Sequence, residues 1–347
     1  MKGRQDEMKF KFPPRISLAN LPTPIQKLER LSEQWGGPEI YVKRDDLTGM
    51  ALSGNKIRKL EFVIAEARNQ GADLLITCGG IQSNHARATA VAAARLGMKS
   101  YLVLRGQEGG EADGNLLIDF LVGAKVKYIT PEDYSTRVDE IMRALAENLK
   151  KDGHHPYVIS EGASNELGTM GYLAATEEIA MQLQKIHLEI DYLVCADGSG
   201  GTHAGLLLGQ KLYHQKYHVL GVNVCDDEAY FIEKINQISE KAVDRFNLDV
   251  DFKRVDIAII DGYVGEGYAL NQRQEIDFMR QVAITEGLIL DPVYTGKALF
   301  GIKDQIERGR FKKEEKILFI HTGGLFGLFP KRGLFSKTML HKYGNQT

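Results

Sequence analysis

A lysine at the start of a predicted helix is the first residue whose position suggests chemistry. The stretch ALSGNKIRKLEF places Lys56 directly after a Ser-Gly-Asn loop, at the beginning of a helix that we predict to end near Gln70. The positive end of the helix dipole disfavours the ammonium form of this side chain and so assists formation of the nucleophilic neutral amine. The alternative interpretation is a solvated charge in the first helical turn.

A second stretch, GSGGTHAG at residues 198–205, has the composition of an anion-binding loop. Its glycines let backbone N–H groups point inward, and the hydroxyls of Ser199 and Thr202 lie beside a predicted helix N-terminus, a combination that binds phosphate. The alternative is a tight strand-to-helix turn with Thr202 as N-cap. Because the chain lacks a Walker sequence and this loop lacks the GxGxxG spacing of dinucleotide sites, we predict a site for one phosphate group.

Together, one phosphate site and one nucleophilic lysine favour pyridoxal phosphate as cofactor, since it needs both. A hypothesis from another class is a non-catalytic sensor that binds a phosphate-bearing small molecule. Such a protein would use the same loop but would not need Lys56.

Short apolar runs alternate with amphipathic stretches along most of the chain, which predicts an α/β fold of two open, twisted, mostly parallel sheets flanked by helices. The first unit contains the strands DLLITC, SYLVLR, KVKYI and PYVIS, and the second contains DYLVC, HVLGVNV, VDIAII and KILFIH. Helices are predicted at 84–96, 114–123, 137–151, 169–187, 201–213, 227–244, 268–287 and 296–307. We assign the candidate strand YVKR to the second unit, so the predicted domains are 1–52 with 162–347 (large, discontinuous) and 53–161 (small).

Glycine- and hydroxyl-rich loops follow four of these strands: CGGIQSNHAR, SEGASNELG, ADGSGGTHAG and HTGGLFG. Ligands of open α/β sheets bind beyond the carboxyl ends of the strands, where these loops lie. We therefore expect the loops to surround one ligand.

The composition excludes several other classes. With 44 basic and 46 acidic side chains the net charge is -2, so no overall positive field attracts nucleic acid. The three cysteines lack CxxC spacing, which argues against a disulfide framework or a thiolate zinc site and for a reducing compartment. No apolar run approaches the roughly 20 residues of a membrane span, and the charged N-terminus lacks a signal core, so we predict a cytoplasmic protein.

The motifs SGNKIRKLE, CGGIQSNHAR, GSGGTHAG, GEGYALN, DPVYTGKAL and HTGG occur in this order. Together they resemble the tryptophan-synthase-β-like (fold type II) pyridoxal-phosphate enzymes, in particular the branch of D-cysteine desulfhydrase and 1-aminocyclopropane-1-carboxylate (ACC) deaminase. The resemblance implies a cofactor between the two domains, a small amino-acid substrate and a homodimer. It also implies that Lys56 is the Schiff-base lysine and takes the proton from Cα.

The same resemblance implies roles for further residues. Ser83 would bind the substrate carboxylate, Asn84 the phenolic oxygen of the cofactor, and Lys59 its phosphate. Tyr268 and Tyr294 would border the substrate. The remaining implied cofactor or substrate contacts are Gly198, Ser199, Gly200, Gly201, Thr202, Thr295, Thr322 and His85.

Two positions bear on the substrate. Deaminases of the branch carry Glu in VYEG and a leucine near the last glycine loop, whereas this chain has Thr295 and Thr322. A carboxylate beside the pyridine nitrogen favours its protonation and a strong electron sink, which suits opening of a cyclopropane ring. Hydroxyls suit α,β-elimination of D-cysteine to pyruvate, ammonia and hydrogen sulfide. The alternatives are ACC deamination and elimination of sulfite from L-cysteate, for which His85 and Arg87 are the nearest candidates to bind the sulfonate.

Overall fold

The computed structural model describes residues 10–335, and their strands form two separate sheets. The strands are β1 Ile25–Lys27, β2 Glu39–Lys43, β3 Leu74–Gly80, β4 Lys99–Arg105, β5 Lys125–Ile129, β6 Pro156–Val158, β7 Tyr192–Asp197, β8 His218–Asn223, β9 Ala258–Ile260 and β10 Lys316–Ile320. The helices are α1 Glu29–Trp35, α2 Lys56–Asn69, α3 Asn84–Arg95, α4 Gly114–Leu121, α5 Pro131–Lys151, α6 Glu166–Lys185, α7 Gly201–Leu212, α8 Glu228–Phe246, α9 Arg273–Glu286 and α10 Thr295–Glu307.

The smaller sheet has the order β5-β4-β3-β6, and all its strands are parallel. One face packs on α3 and α4 through small and aliphatic side chains such as Ala86, Ala90 and Leu116. The other face packs on α5 through residues such as Met142 and Leu149. Both faces are covered, which is why β3 is buried along most of its length.

The larger sheet has the order β1-β2-β10-β7-β8-β9, in which only the pairing of β1 with β2 is antiparallel. Helices α1, α9 and α10 supply side chains to the core on one face. Helices α6, α7 and α8 supply those on the other face. The two sheets and their flanking helices confirm the predicted α/β fold, and the strand YVKR lies in β2 of the larger sheet. The domain boundaries at 52/53 and 161/162 stay a prediction.

A further apolar cluster joins the elements around both sheets, and we call it the shared core. It contains Ile57 and Leu60 of α2, Leu75 of β3, Met170 of α6 and Leu208 of α7. Helix α2, which begins at Lys56, therefore packs against elements that belong to both sheets and their flanking helices.

Several boundaries differ from the prediction. Helix α5 begins six residues earlier than predicted because Thr130 caps it and Pro131 occupies its first position. Helix α9 begins only at Arg273, since Gly265 and Gly267 before it have positive φ angles. Strand β1 and helix α1 were not predicted, because runs of three and seven residues are too short to show a clear period.

The parallel strands of each sheet direct their carboxyl ends toward the loops that the sequence singled out. β3 leads into 80–83, β7 into 198–200, and β10 into 321–324. Within residues 10–335, no helix is both long and apolar enough to span a membrane.

Candidate active site

Lys56 lies at the first position of α2, where the preceding loop brings it against the end of β10. The Asn55 N–H donates to the carbonyl oxygen of Thr322 at 3.2 Å. Gly54 has a φ of 107°, and a Cβ on it would lie 2.6 Å from the same oxygen, so this close approach requires glycine. Burial lowers the pKa of Lys56 to about 8, against the opposing charge of Glu161.

Two adjoining cavities share the Lys56 side chain. Both are also lined by Asn84, Gly198, Ser199 and Tyr294. The loops after β3 and β7 and helix α2 therefore surround a single space, as the sequence predicts from strand direction.

The turn that carries Lys56 is anchored on its opposite side by a buried ion network. Arg58 forms ion pairs with Asp45 at 2.8 Å and with Glu178 at 3.0 Å. Tyr172 donates to Asp45 at 2.6 Å, and Lys43 pairs with Glu178 at 2.5 Å. These contacts hold α2 against α6 and thus fix the position of Lys56.

Lys59, one turn after Lys56, is fully buried and forms no ion pair within the described part of the chain. Its Nζ donates to Ser164 Oγ at 2.9 Å and lies 3.4 Å from the carbonyl oxygen of Gly162. No carboxylate of the described residues forms an ion pair with it, and burial together with the charge of Lys56 holds its pKa well below the usual range. A buried cation bonded only to neutral oxygens is costly unless an anion binds beside it.

The glycine loop after β7 lies next to this cation. Gly200 adopts a φ of 79°, and α7 begins at Gly201. A Cβ on Gly201 would lie 2.9 Å from Lys59 Nζ and 2.8 Å from Ser164 Oγ, so the absence of a side chain leaves the helix N-terminus open toward the cation. Ser164 and Ser199 form a hydroxyl pair at 2.8 Å. The lysine, the two hydroxyls and the start of α7 form an anion cradle, and we keep this name for them.

The remaining residue of the predicted phosphate loop has a different contact. Thr202 Oγ1 accepts a hydrogen bond from the Asn55 side chain at 3.0 Å, which ties the loop to the start of α2. Ser164 and Gly162 were not among the residues predicted for the site. Their signal was the loop SEGASNELG, which follows a strand as the other glycine-rich loops do.

Ser83 and Asn84 lie at the N-terminus of α3 and face the Lys56 side chain across the cavity. Ser83 is the N-cap, and its Oγ accepts from the Ala86 N–H at 3.1 Å. Asn84 Oδ1 accepts from the amide of Asn115 at 3.1 Å. The helix N-terminus and the Ser83 hydroxyl are suited to a carboxylate.

His85 and Arg87, considered above as ligands for a sulfonate, are both buried. His85 Nε2 lies 2.8 Å from Thr77 Oγ1, and burial together with the charges of Lys56 and Lys59 lowers its pKa well below the usual range, so the ring is neutral. The guanidinium of Arg87 donates to Asn115, Ala51 and Ser53. Its donors are directed away from the cavity and into these contacts.

Tyr268 and Tyr294 are in contact, with their hydroxyl oxygens 2.7 Å apart. Burial raises the pKa of Tyr268 to about 12 and holds that of Tyr294 well above its usual range. The guanidinium of Arg105 lies 5.1 Å from the centre of the Tyr268 ring. Both phenols are therefore neutral proton donors at the cavity wall.

The two threonines that bear on the substrate lie in different surroundings. Thr322 lines the cavity beside Lys56. Thr295 is fully buried, and its hydroxyl donates to Asp291 at 2.7 Å and accepts from the Asp291 N–H at 2.8 Å. The structure brings Thr322 to the cavity and does not place Thr295 among the residues that line it.

A buried cluster of Cys195, Asp197 and His203 lies at the end of β7 and the start of α7. His203 Nδ1 and Asp197 Oδ2 are 2.9 Å apart, which is a hydrogen bond. This contact packs the start of α7 against β7, and all three cysteines of the chain are free and buried.

The arrangement fits pyridoxal phosphate. Lys59 is a buried cation that forms no ion pair with a carboxylate of residues 10–335, and the open turn at Gly201 leaves the helix N-terminus free for a phosphate group. Lys56, in the same space, has a pKa low enough to supply a neutral amine for an aldehyde.

Comparison with known proteins agrees with pyridoxal phosphate as the cofactor. A family model described as pyridoxal-phosphate dependent enzyme matches residues 16–323. A bifunctional D-cysteine desulfhydrase/ACC deaminase of Arabidopsis thaliana, named as mitochondrial, is 47% identical over 325 residues, covering 91% of this chain and 79% of the relative. A putative ACC deaminase of Thermotoga maritima is 46% identical over 319 residues, covering 91% and 98%. A D-cysteine desulfhydrase of Klebsiella pneumoniae is 40% identical over 321 residues, covering 91% and 95%.

Among solved structures, one described as an ACC deaminase homologue superposes with a TM-score of 0.85 and 39% identity, covering 94% of this chain and 96% of the other. Sequence, structure and site geometry thus agree. The chain belongs to the family of pyridoxal-phosphate dependent enzymes, in the branch that contains D-cysteine desulfhydrases and ACC deaminases.

Proposed function

We propose that this enzyme converts D-cysteine and water to pyruvate, ammonia and hydrogen sulfide by α,β-elimination. The observation that carries the proposal is the position of Lys56, whose amine faces the same cavity as the N-terminus of α3, with a pKa of about 8. A group able to take a proton from Cα and a group able to hold the substrate carboxylate thus face each other. When bound, pyridoxal phosphate supplies an electron sink for the negative charge that develops at Cα.

Each part of the site has one task in this reaction. The anion cradle, with Lys59 and the backbone at 198–202, would hold the phosphate group. Ser83 Oγ and the backbone at the start of α3 bind and orient the substrate carboxylate. Lys56 Nζ takes the proton from Cα, and the sulfur leaves with the bonding electron pair.

The neutral phenols favour departure of the sulfur. Tyr294 and Tyr268 form a hydrogen-bonded pair that borders the cavity, and their raised pKa values keep a proton available at its wall. Donation of a proton to departing hydrosulfide is a general-acid role that suits such a pair.

Among the described residues, the scarcity of carboxylates that line the two cavities supports D-cysteine over ACC as the substrate. Glu161 is the only acidic residue that lines either cavity within the described part of the chain, and it accepts from Tyr134 at 2.5 Å. Elimination of a thiolate needs a weaker electron sink than opening of a cyclopropane ring, so it needs no carboxylate beside the pyridine nitrogen. ACC deamination remains the second candidate, because several of the relatives carry that name.

Elimination of sulfite from L-cysteate receives less support. The guanidinium of Arg87 already donates to three oxygens of the protein, and His85 is neutral, so neither supplies a charge for a sulfonate.

The test is a comparison of four substrates with the purified holoenzyme: D-cysteine, L-cysteine, L-cysteate and ACC. We expect sulfide and pyruvate in equal amounts from D-cysteine. Replacement of Lys56 by alanine should abolish turnover, whereas the same replacement at exposed Lys151 should leave it unchanged. Turnover of ACC alone, or turnover by Lys56→Ala, would show that the assignment is wrong.

A homodimer and a cytoplasmic location, implied by the resemblance and the composition, are further proposals. Light scattering coupled to gel filtration measures the first, and fractionation of the producing cells tests the second.

A further inference from the structure

Asn84 lines the cavity beside Lys56, and its side-chain amide has one end that donates hydrogen bonds and one that accepts them. We propose that Asn115 and Arg87 are positioning residues that fix the direction of this amide, so that its NH2 group faces the cofactor. The proposal rests on the cofactor assignment above.

Arg87 is fully buried. A guanidinium donates hydrogen bonds and accepts none. Its Nε lies 3.1 Å from Asn115 Oδ1, and its Nη2 lies 3.0 Å from the carbonyl oxygen of Ser53. Asn115 therefore has to direct its oxygen, and not its nitrogen, toward Arg87.

The direction of Asn115 then determines that of Asn84. With its oxygen on Arg87, Asn115 has its NH2 group 3.0 Å from the carbonyl oxygen of Gln82 and 3.1 Å from Asn84 Oδ1. The Gln82 carbonyl only accepts, so it selects the same direction independently. Asn115 is itself held in place, because its N–H donates to Gln82 Oε1 at 2.9 Å.

Asn84 is left with one free end. Its oxygen is bound by Asn115, and its NH2 group has no hydrogen-bond partner among residues 10–335. A donor in this position would stabilise an anionic oxygen of the bound cofactor, and a hydrogen bond to a charged oxygen is about twice as strong as a neutral one. The reversed amide would instead accept from a hydroxyl and favour the protonated form of the same oxygen.

The decisive variant is Asn115→Asp, which keeps the shape of the side chain but removes its NH2 group. The carboxylate still accepts from Arg87, and its second oxygen can only accept, so Asn84 turns its NH2 group away from the cavity. We expect the visible absorption band of the holoenzyme to move to the near ultraviolet. We also expect the affinity of the apoenzyme for pyridoxal phosphate, measured by titration, to fall by about 10- to 100-fold.

Two further variants separate this effect from general damage. Asn148→Asp adds the same charge at an exposed position of α5 and should change neither the band nor the affinity. In an Asn84→Ala background, Asn115→Asp should lower the affinity by less than about twofold, because the amide that it reverses is no longer present. An undiminished further loss in that background, or an unchanged band in Asn115→Asp, would overturn the proposal.

Circular dichroism and the thermal midpoint show whether Asn115→Asp folds. If it does not fold, Asn115→Ala provides the test. Asn84 can then rotate, so both the visible and the near-ultraviolet absorption bands should be present. A single visible band would overturn the proposed positioning of Asn84 by Asn115. The cofactor assignment is tested separately, by titration of the unaltered apoenzyme and of Lys56→Ala. Failure of the unaltered protein to bind pyridoxal phosphate would refute the proposed function. A normal visible band in both the unaltered protein and Asn115→Asp would refute only the positioning of Asn84 by Asn115.

Discussion

Replacement of Lys59 by methionine should make the apoprotein more stable while weakening its affinity for phosphate. Lys59 is fully buried, its charge has no carboxylate partner in the described chain, and its Nζ bonds only to Ser164 and Gly162. Methionine has a similar length and needs no hydrogen bond. The variant therefore removes a cation whose burial is unfavourable until an anion binds.

The expected magnitude is set by two opposing effects. Replacing a buried charge by a well-packed apolar side chain stabilises a protein by about 1–3 kcal/mol. Little is lost in exchange, since Ser164 keeps its hydrogen bond to Ser199 and the contact with Gly162 is a long one of 3.4 Å. At about 2–4 °C per kcal/mol, the thermal midpoint of the apoprotein should rise by several degrees.

The stability that Lys59→Met gains over the unaltered apoprotein should decrease as the pH rises. The folded-state pKa of Lys59 lies well below its ordinary value of 10.5, so the unfolded chain binds the proton more tightly than the folded one. The contribution of Lys59 to the stability of the unaltered apoprotein therefore rises with pH up to that value. The advantage of Lys59→Met should be largest at low pH and should shrink as the pH approaches 10.5.

The assay is calorimetry of the apoproteins with and without inorganic phosphate. Phosphate should raise the midpoint of the unaltered protein, and the affinity derived from that shift should be about 10- to 100-fold weaker in Lys59→Met. Lys151→Met, at an exposed site, is the matched control. A destabilised apoprotein, or equal stabilisation of both proteins by phosphate, would refute the interpretation of Lys59 as an unpaired cation of the anion cradle.

The remaining predictions concern three other parts of the site. The rate at which the apoenzyme binds pyridoxal phosphate should rise with pH and level off above about 8, because only the neutral amine of Lys56 reacts. A stopped-flow rate that does not change with pH around about 8 would contradict this prediction. Tyr294→Phe should lower kcat/KM by about 10²–10⁴-fold. Adding Tyr268→Phe should lower kcat/KM little further, since the two phenols act as one hydrogen-bonded pair. Multiplicative losses of kcat/KM in steady-state assays would show that the phenols have separate roles. Arg58→Met should destabilise the protein by about 3–5 kcal/mol in urea unfolding, because Asp45 is left buried without its cation, and a change below about 1 kcal/mol would show that the network is not needed.

The sequence was informative where one short segment carries the signal. Lys56 at a helix start and the glycine loop at 198–202 can be recognised from a few adjacent residues, and the direction of parallel strands brings them to one edge. The α/β fold is predictable for the same reason, since strand and helix periods alternate along the chain.

It was less informative where a residue acts through a distant partner. Ser164 joins the anion cradle by contacting Lys59, 105 positions away. Asn115 reaches Asn84 across 31 positions. Thr295, expected near the cofactor, has its hydroxyl bonded to Asp291 four residues before it, and the motif alone does not show which way that side chain turns. Side-chain direction depends on packing that no local pattern encodes.

The shared core has a consequence for cooperativity. It joins side chains of α2 and β3 to those of α6 and α7. The buried apolar side chains of α2 therefore pack against elements of both sheets and not against one sheet alone. A partly unfolded form that retained one sheet would expose this cluster and release α2. The energetic coupling between the two halves of the chain should therefore be strong, and a single calorimetric transition should coincide with loss of the Lys56 site.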